Sequence, residues 1–146
     1  MYKTILAGVD GSEYSEAALD VAIDLAKKYG SKLIIATVYA APAEMMGFIP
    51  PYPPKVPDEI KSKLEEMLAK YREKASKEGV TDVETKIIPA WEKAGAGLVT
   101  EAERSGCALL VIGTRGLTGL KRTLLGSVAD YVVKHSHCDV LVVRRE

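Results

Sequence analysis

Cys107-Ala108-Leu109-Leu110-Val111-Ile112 is an unbroken apolar run that stops at Gly113-Thr114-Arg115-Gly116. A strand apolar at both alternating positions must be covered on both faces, which marks a central strand of a parallel sheet. Its flanks agree. Ala96 to Arg104 precedes it with helical spacing and ends at Ser105-Gly106, while Ser127 to Lys134 follows as a helix and Val140 to Val143 as a last strand. Reading outward from one segment therefore already gives helix, strand, helix, strand.

The same alternation extends back to the start. Ile5 to Val9 is a short apolar run followed by the turn Asp10-Gly11-Ser12. Ala17, Ala18, Val21, Ala22, Leu25, Ala26 and Tyr29 then recur at helical spacing, with Ser12 placed to cap the helix and Gly30 to end it. Leu33 to Val38 reads as a second buried strand. Ile60, Leu64, Met67, Leu68, Tyr71 and Ala75 line one face of a second helix that Gly79 closes. Val83, Thr85 and Ile87 alternate with Glu84 and Lys86, as in a half-exposed strand at a sheet edge. Five strands alternate with four helices, and crossovers between parallel strands are right-handed. The expected fold is one doubly wound α/β domain over residues 1–146, a parallel five-stranded sheet with helices on both faces.

Composition narrows the function. The 146 residues carry 20 Lys and Arg against 20 Asp and Glu, so no net field favours nucleic acid or an anionic membrane. Two cysteines are too few for a disulfide scaffold, and no apolar run reaches the ~20 residues of a membrane span. The opening residues read as a strand rather than a secretory leader. A soluble, cytoplasmic protein is expected. Only Ala40 to Pro57 breaks the rhythm, with six prolines among Met45, Met46, Phe48 and Tyr52. A connection of that length and composition is expected to be either a lid over a ligand or a solvent-facing insertion.

In doubly wound sheets ligands bind beyond the carboxyl ends of the strands, where strand order reverses. Two glycine-bearing segments leave such ends: Val9-Asp10-Gly11-Ser12, and Gly113 through Gly116 to Gly126-Ser127. Glycines let backbone N–H groups approach phosphate oxygens, and a helix starting at Ser127 adds unpaired N–H groups and a positive dipole end. Arg115, Lys121 and Arg122 lie in the same segment. The competing reading is structural: glycines for tight turns, Ser127 and Asp130 as a capping box, Asp10 as an Asx turn. The Walker A pattern and the Gly-x-Gly-x-x-Gly fingerprint are both absent.

Gly113, two residues, Gly116, nine residues, then Gly126-Ser127 resembles the ATP-binding signature of the universal stress protein family. The Val9-Asp10-Gly11-Ser12 segment and the ending Cys138-Asp139-Val140-Leu141-Val142-Val143-Arg144 are similar to that family too. The resemblance implies a sheet in order 3-2-1-4-5. It implies ATP with Mg²⁺ or Mn²⁺, the cation held largely by phosphates and water. Asp10 would meet the ribose, backbone groups at Val38 the adenine, and Gly113, Gly116, Gly126, Ser127 and Val128 the phosphates. It further implies a homodimer through the last strand, and a regulatory or sensor protein acting on a client the sequence does not name. The family's common Gly-x-Pro after the third strand is replaced by Pro89-Ala90-Trp91, and a common Pro by Asp139.

Catalytic constellations are poor. His135, His137, Cys138 and Asp139 are four potential metal ligands, but at a helix end entering a strand they are expected to diverge. Cys107 is expected to be an inert buried thiol. The expectation is tight binding with slow hydrolysis, the rival reading being a slow ATPase or phosphotransfer protein. Valine at Gly126 is expected to weaken ATP binding by at least ~2 kcal/mol and leave the fold intact.

Overall fold

In the computed structural model, which describes residues 1–42, 53–91, 93–115 and 125–145, strands and helices alternate throughout. They are β1 (Thr4–Gly8), α1 (Glu13–Tyr29), β2 (Lys32–Ala41), α2 (Asp58–Lys77), β3 (Val83–Trp91), α3 (Ala94–Ser105), β4 (Leu109–Gly113), α4 (Ser127–His135) and β5 (Asp139–Val143). The five strands form one parallel sheet in the order β3-β2-β1-β4-β5. This is the expected doubly wound fold, with the order reversing at the β1–β4 junction.

Strand alternation divides the core in two. Ile5 and Ala7 of β1 face α1 and α2, packing with Leu19, Ile23, Leu68 and Tyr71. Leu6, between them, faces α3 and α4 with Leu98, Ala102, Ala129 and Val132. The wholly apolar run before Gly113 is central, as its composition requires: Leu109 and Val111 enter one core, Leu110 and Ile112 the other.

Two helix faces differ from the sequence pattern. α1 buries Ser15, Ala18, Leu19, Ala22, Ile23 and Ala26, a stripe rotated from the expected one, and Tyr29 is 46% exposed. Tyr29 reaches past the end of the sheet and meets the Tyr2 ring edge-on at 5.7 Å. α2 buries Leu68, Tyr71 and Ala75 from its second half, while Ile60 in its first turn is 38% exposed. The Ala40–Pro57 segment contributes Ala40 and Ala41 to β2, where Ala41 pairs with Trp91. Met45, Met46, Phe48 and Tyr52 lie outside the described residues.

Two buried acids make the fold sensitive to alkali. Burial raises the Tyr71 hydroxyl, helped by its 3.0 Å hydrogen bond to Glu16, and burial likewise pushes the Cys107 thiol up to about 12. Unfolded tyrosine and cysteine lose their protons near pH ~10 and ~8.5. The folded chain therefore holds more protons than the unfolded one above those values, and stability falls as pH rises. We expect a thermal midpoint that is insensitive to these groups below about pH 8 and declines steadily from about pH 9 to 11. A flat midpoint through that window in a scanning-calorimetry series would contradict the assignment.

Candidate functional site

The β1–β4 junction brings two chain turns together. Val9 continues β1 by donating its N–H to the Ala36 carbonyl at 2.8 Å. The next three residues turn into α1. Ser12 N–H donates to Asp10 Oδ1 at 2.9 Å, closing an Asx turn, and Gly11 sits between them at φ +86°. Ser12 Oγ accepts from Ser15 N–H at 3.1 Å as the N-cap, and Ser15 Oγ accepts the Asp10 N–H at 3.1 Å. Asp10 is thus fixed at main chain and side chain while remaining exposed. The structural reading of Asp10 is realised, and it engages only Oδ1 among the described residues.

At the end of β4 the chain is crowded. A Cβ on Gly113 would lie 2.7 Å from the Tyr14 carbonyl oxygen and 2.8 Å from its carbon. Gly113 is glycine because the α1 backbone passes there, which is a packing reason the spaced-glycine reading did not contain. Thr114, 4% exposed, donates its N–H to the Val143 carbonyl at 3.2 Å and accepts the Gly126 N–H at 2.6 Å. Residues 114 and 126 are therefore joined directly. The Arg115 guanidinium stacks over the Tyr14 ring at 4.3 Å.

Gly126 is the N-cap of α4, with φ −66° and ψ 163°, and its carbonyl accepts the Asp130 N–H at 2.9 Å. Ser127 is the first helical residue, so the capping box with Asp130 does not form; no side chain caps this helix. Both backbone polar groups of Gly126 are committed, so its amide is not a donor for a ligand. The N–H groups of Ser127, Val128 and Ala129, by contrast, have no intrahelical acceptor. Ser127 and Val128 thus keep the donors expected of a helix start, whereas the Gly126 amide is used internally.

Asp10, Val38, Gly113, Gly126, Ser127 and Val128 line a single cavity of about 230 Å³. Gly116, Lys121 and Arg122 lie outside the described residues. Sequence reasoning missed the apolar wall: Gly8, Ala36, Leu98, Ile112 and the buried Thr114 also line it. Leu98 carried a signal, since it belongs to the helical stripe of α3. Gly8 carried none, because its crowding against Leu98, 2.9 Å from a Cβ placed there, depends on tertiary packing.

Val38 is not the end of its strand, since β2 pairs with β3 as far as Ala41. Its importance lies elsewhere. The Ala36 carbonyl points toward β1, and residues two apart in a strand direct their main-chain groups to the same side. β1 has ended by then, so Val38 presents one N–H and one C=O toward the side that β1 leaves uncovered. Gly97 permits α3 to lie against this strand, its hypothetical Cβ only 3.2 Å from Val38 Cγ1. Gly95 lets α3 approach α4, its Cβ position 2.9 Å from the Tyr131 Cβ.

The four potential metal ligands near the carboxyl terminus diverge. His135 Nδ1 meets the Tyr131 carbonyl at 2.9 Å, His137 lies 3.6 Å from Glu103, Asp139 accepts from Tyr2 at 3.1 Å, and Cys138 faces Cys107. Among the described residues no group of three acidic, His or Cys side chains is arranged to hold a metal. Nor is any helix among them long and apolar enough to cross a membrane.

Residues 1–144 match a family model described as the universal stress protein family. A putative universal stress protein of Staphylococcus haemolyticus is 37% identical over 99% of this chain and 86% of its own length. Among solved structures, a universal stress protein in complex with cAMP superposes with a TM-score of 0.72 at 31% identity, covering 97% of this chain and 96% of that one. A universal stress protein from Lactobacillus plantarum gives 0.78 at 22% identity over 98% of both chains, a likeness of fold.

Proposed function

The chain belongs to the universal stress protein family, and from that premise we propose that it is a regulatory or sensor protein that binds ATP at the β1–β4 junction. One observation carries the reading. The unpaired first-turn N–H groups of α4, the fixed carboxylate of Asp10 and the main-chain pair of Val38 open into one cavity. These are complementary to phosphate, ribose hydroxyls and an adenine edge respectively. The cavity, at about 230 Å³, takes a nucleoside-sized body, leaving phosphates at its mouth beside α4. The similar protein described in complex with cAMP supports an adenine nucleotide. The spaced glycines support ATP, with Gly116 a further phosphate contact.

The residues fit Mg²⁺ or Mn²⁺ only indirectly. Asp10 is the one carboxylate among the described lining residues, so phosphates and water would supply most of the coordination, and the cation would neutralise phosphate charge. Asp10 and Arg115 are the ionisable groups of that lining, and neither is a base placed to activate water at a terminal phosphate. Slow turnover follows. Phosphate release should stay far below ordinary kinase rates, of order 1 per second; faster release by the purified protein would establish the rival ATPase reading.

Asp10→Ala separates the two roles of that residue. Losing the Asx turn should cost about 1 kcal/mol of stability, and losing the ribose contacts should weaken ATP binding roughly 10-fold or more. An unchanged binding isotherm would remove Asp10 from the site.

β5 is a sheet edge bonded on one side to β4. Its Val140, Leu141, Val142 and Val143 side chains are half-buried against the two cores, so the uncovered feature is the backbone edge itself. Antiparallel pairing with a second copy across a two-fold axis would satisfy it, giving a cytoplasmic homodimer that presents its nucleotide state to a client protein. Sedimentation at micromolar concentration should give a dimer, and a monomer would dismiss this interface.

A further inference from the structure

Cys107 and Cys138 stand 31 residues apart in sequence, yet their Sγ atoms are 3.7 Å apart. Both are free thiols, Cys107 only 7% exposed and Cys138 half-buried. They precede β4 and β5, which pair from Leu109↔Asp139 onward. Both side chains enter the same apolar layer, beside Leu110 and Val140, so the sulfurs need to close by only about 1.7 Å to reach bonding distance. We propose that Cys107 and Cys138 form a redox-modification site, closing to an intramolecular disulfide under hydroperoxide.

The chemistry assigns the order of events. Cys138 is the more accessible thiol and has the Ser136 hydroxyl 3.4 Å from its sulfur. Its sulfur attacks the peroxide, forming an S–O bond as the O–O bond breaks and one water leaves. Cys107 then attacks the Cys138 sulfenic sulfur; the S–S bond forms, the S–O bond breaks, and the Cys107 proton departs with hydroxide as a second water. Two thiols supply the two electrons that reduce one hydrogen peroxide to two waters. Burial, reinforced by the Cys138 thiol, pushes the Cys107 thiol up to about 12. Cys107, the more deeply buried thiol, is therefore the resolving partner.

The link lies at the amino ends of β4 and β5, opposite the nucleotide cavity. The covalent loop it closes contains β4, the glycine segment and α4. Because the two strands are already paired, oxidation should leave the folded geometry in place and chiefly restrict the unfolded chain. The expected thermal midpoint rises by about 5–10 °C on oxidation.

The test treats the full chain with hydrogen peroxide and follows intact mass, a non-reducing peptide map and the thermal midpoint. We expect loss of two hydrogens, one cross-linked Cys107–Cys138 peptide, the raised midpoint, and reversal of all three by dithiothreitol. In Cys107→Ser the sulfenic acid at Cys138 should react with a 1,3-dione trap and otherwise proceed to sulfinic acid, with no rise in midpoint. In Cys138→Ser, Cys107 should stay reduced. The proposal is overturned if both wild-type thiols stay titratable, if wild-type Cys138 over-oxidises as it does in Cys107→Ser, or if the cross-link joins two chains.

Discussion

Gly113→Ala should be the most damaging single-methyl change in this molecule, lowering stability by about 3 kcal/mol and the thermal midpoint by roughly 10 °C. The new Cβ would lie 2.7 Å from the Tyr14 carbonyl oxygen and 2.8 Å from its carbon, both backbone atoms. A side chain could rotate away. Here either β4 or the first turn of α1 must move. Moving α1 disturbs the Ser12 cap and the Asp10 turn, and moving β4 disturbs pairing with both β1 and β5. Gly106→Ala is the matching control, because Gly106 has φ +65° and nothing within 4 Å of its Cβ position. It should cost only the left-handed penalty of about 1 kcal/mol. Thermal melts of the two variants side by side decide the point; equal losses would mean that the Tyr14 contact is not the cause.

The second large effect concerns binding rather than stability. Ser127→Pro should weaken ATP binding about 100-fold while changing stability by less than about 0.5 kcal/mol. Proline is well suited to the first helical position, whose N–H has no intrahelical partner. It requires extended backbone before it, and Gly126 already has ψ 163°. The substitution removes one main-chain donor and one hydroxyl from the phosphate end and leaves the helix intact. Each hydrogen bond to a charged oxygen is worth about 1.5–3 kcal/mol, so the stated factor is the lower bound for losing the pair. Valine at Gly126 is the poorer probe. Gly126 is buried and its N–H is bound to the Thr114 carbonyl at 2.6 Å, so a branched side chain there threatens the fold as well as the site. An isotherm for Ser127→Pro that overlays the wild type would take the phosphates away from α4.

What the sequence made legible follows from local chemistry. The apolar run before Gly113 had to be central, the alternation of Val83, Thr85 and Ile87 marked an edge, and Ser12 and Gly30 bounded α1; each is a property of a few adjacent residues. The turn at Asp10 and the helix start at Ser127 were legible for the same reason. What failed to show depends on which parts of the chain pass close in space. Gly113 is required by the α1 backbone and Gly95 by Tyr131, and Gly97 fits tightly beside Val38, none of them near in sequence. The commitment of the Gly126 amide to Thr114 is likewise tertiary, and it leaves the first-turn N–H groups of Ser127, Val128 and Ala129 as the donors there. The close approach of Cys107 and Cys138 depends on how the chain enters β4 and β5, which an apolar pattern does not specify.

If one cavity reads adenine, ribose and phosphate together, titration calorimetry with Mg-ATP and Mg-GTP will separate the two bases. In the proposed site the Val38 pair would offer an N–H to adenine N1 and a C=O to the adenine 6-amino group, whereas guanine presents a donor at N1 and an acceptor at O6, opposing both. We predict one saturable ATP site per chain and GTP binding weaker by at least about 100-fold, the cost of two mismatched polar contacts. Absence of saturable heat with ATP, or equal affinity for the two nucleotides, would rule out adenine recognition at the β1–β4 junction.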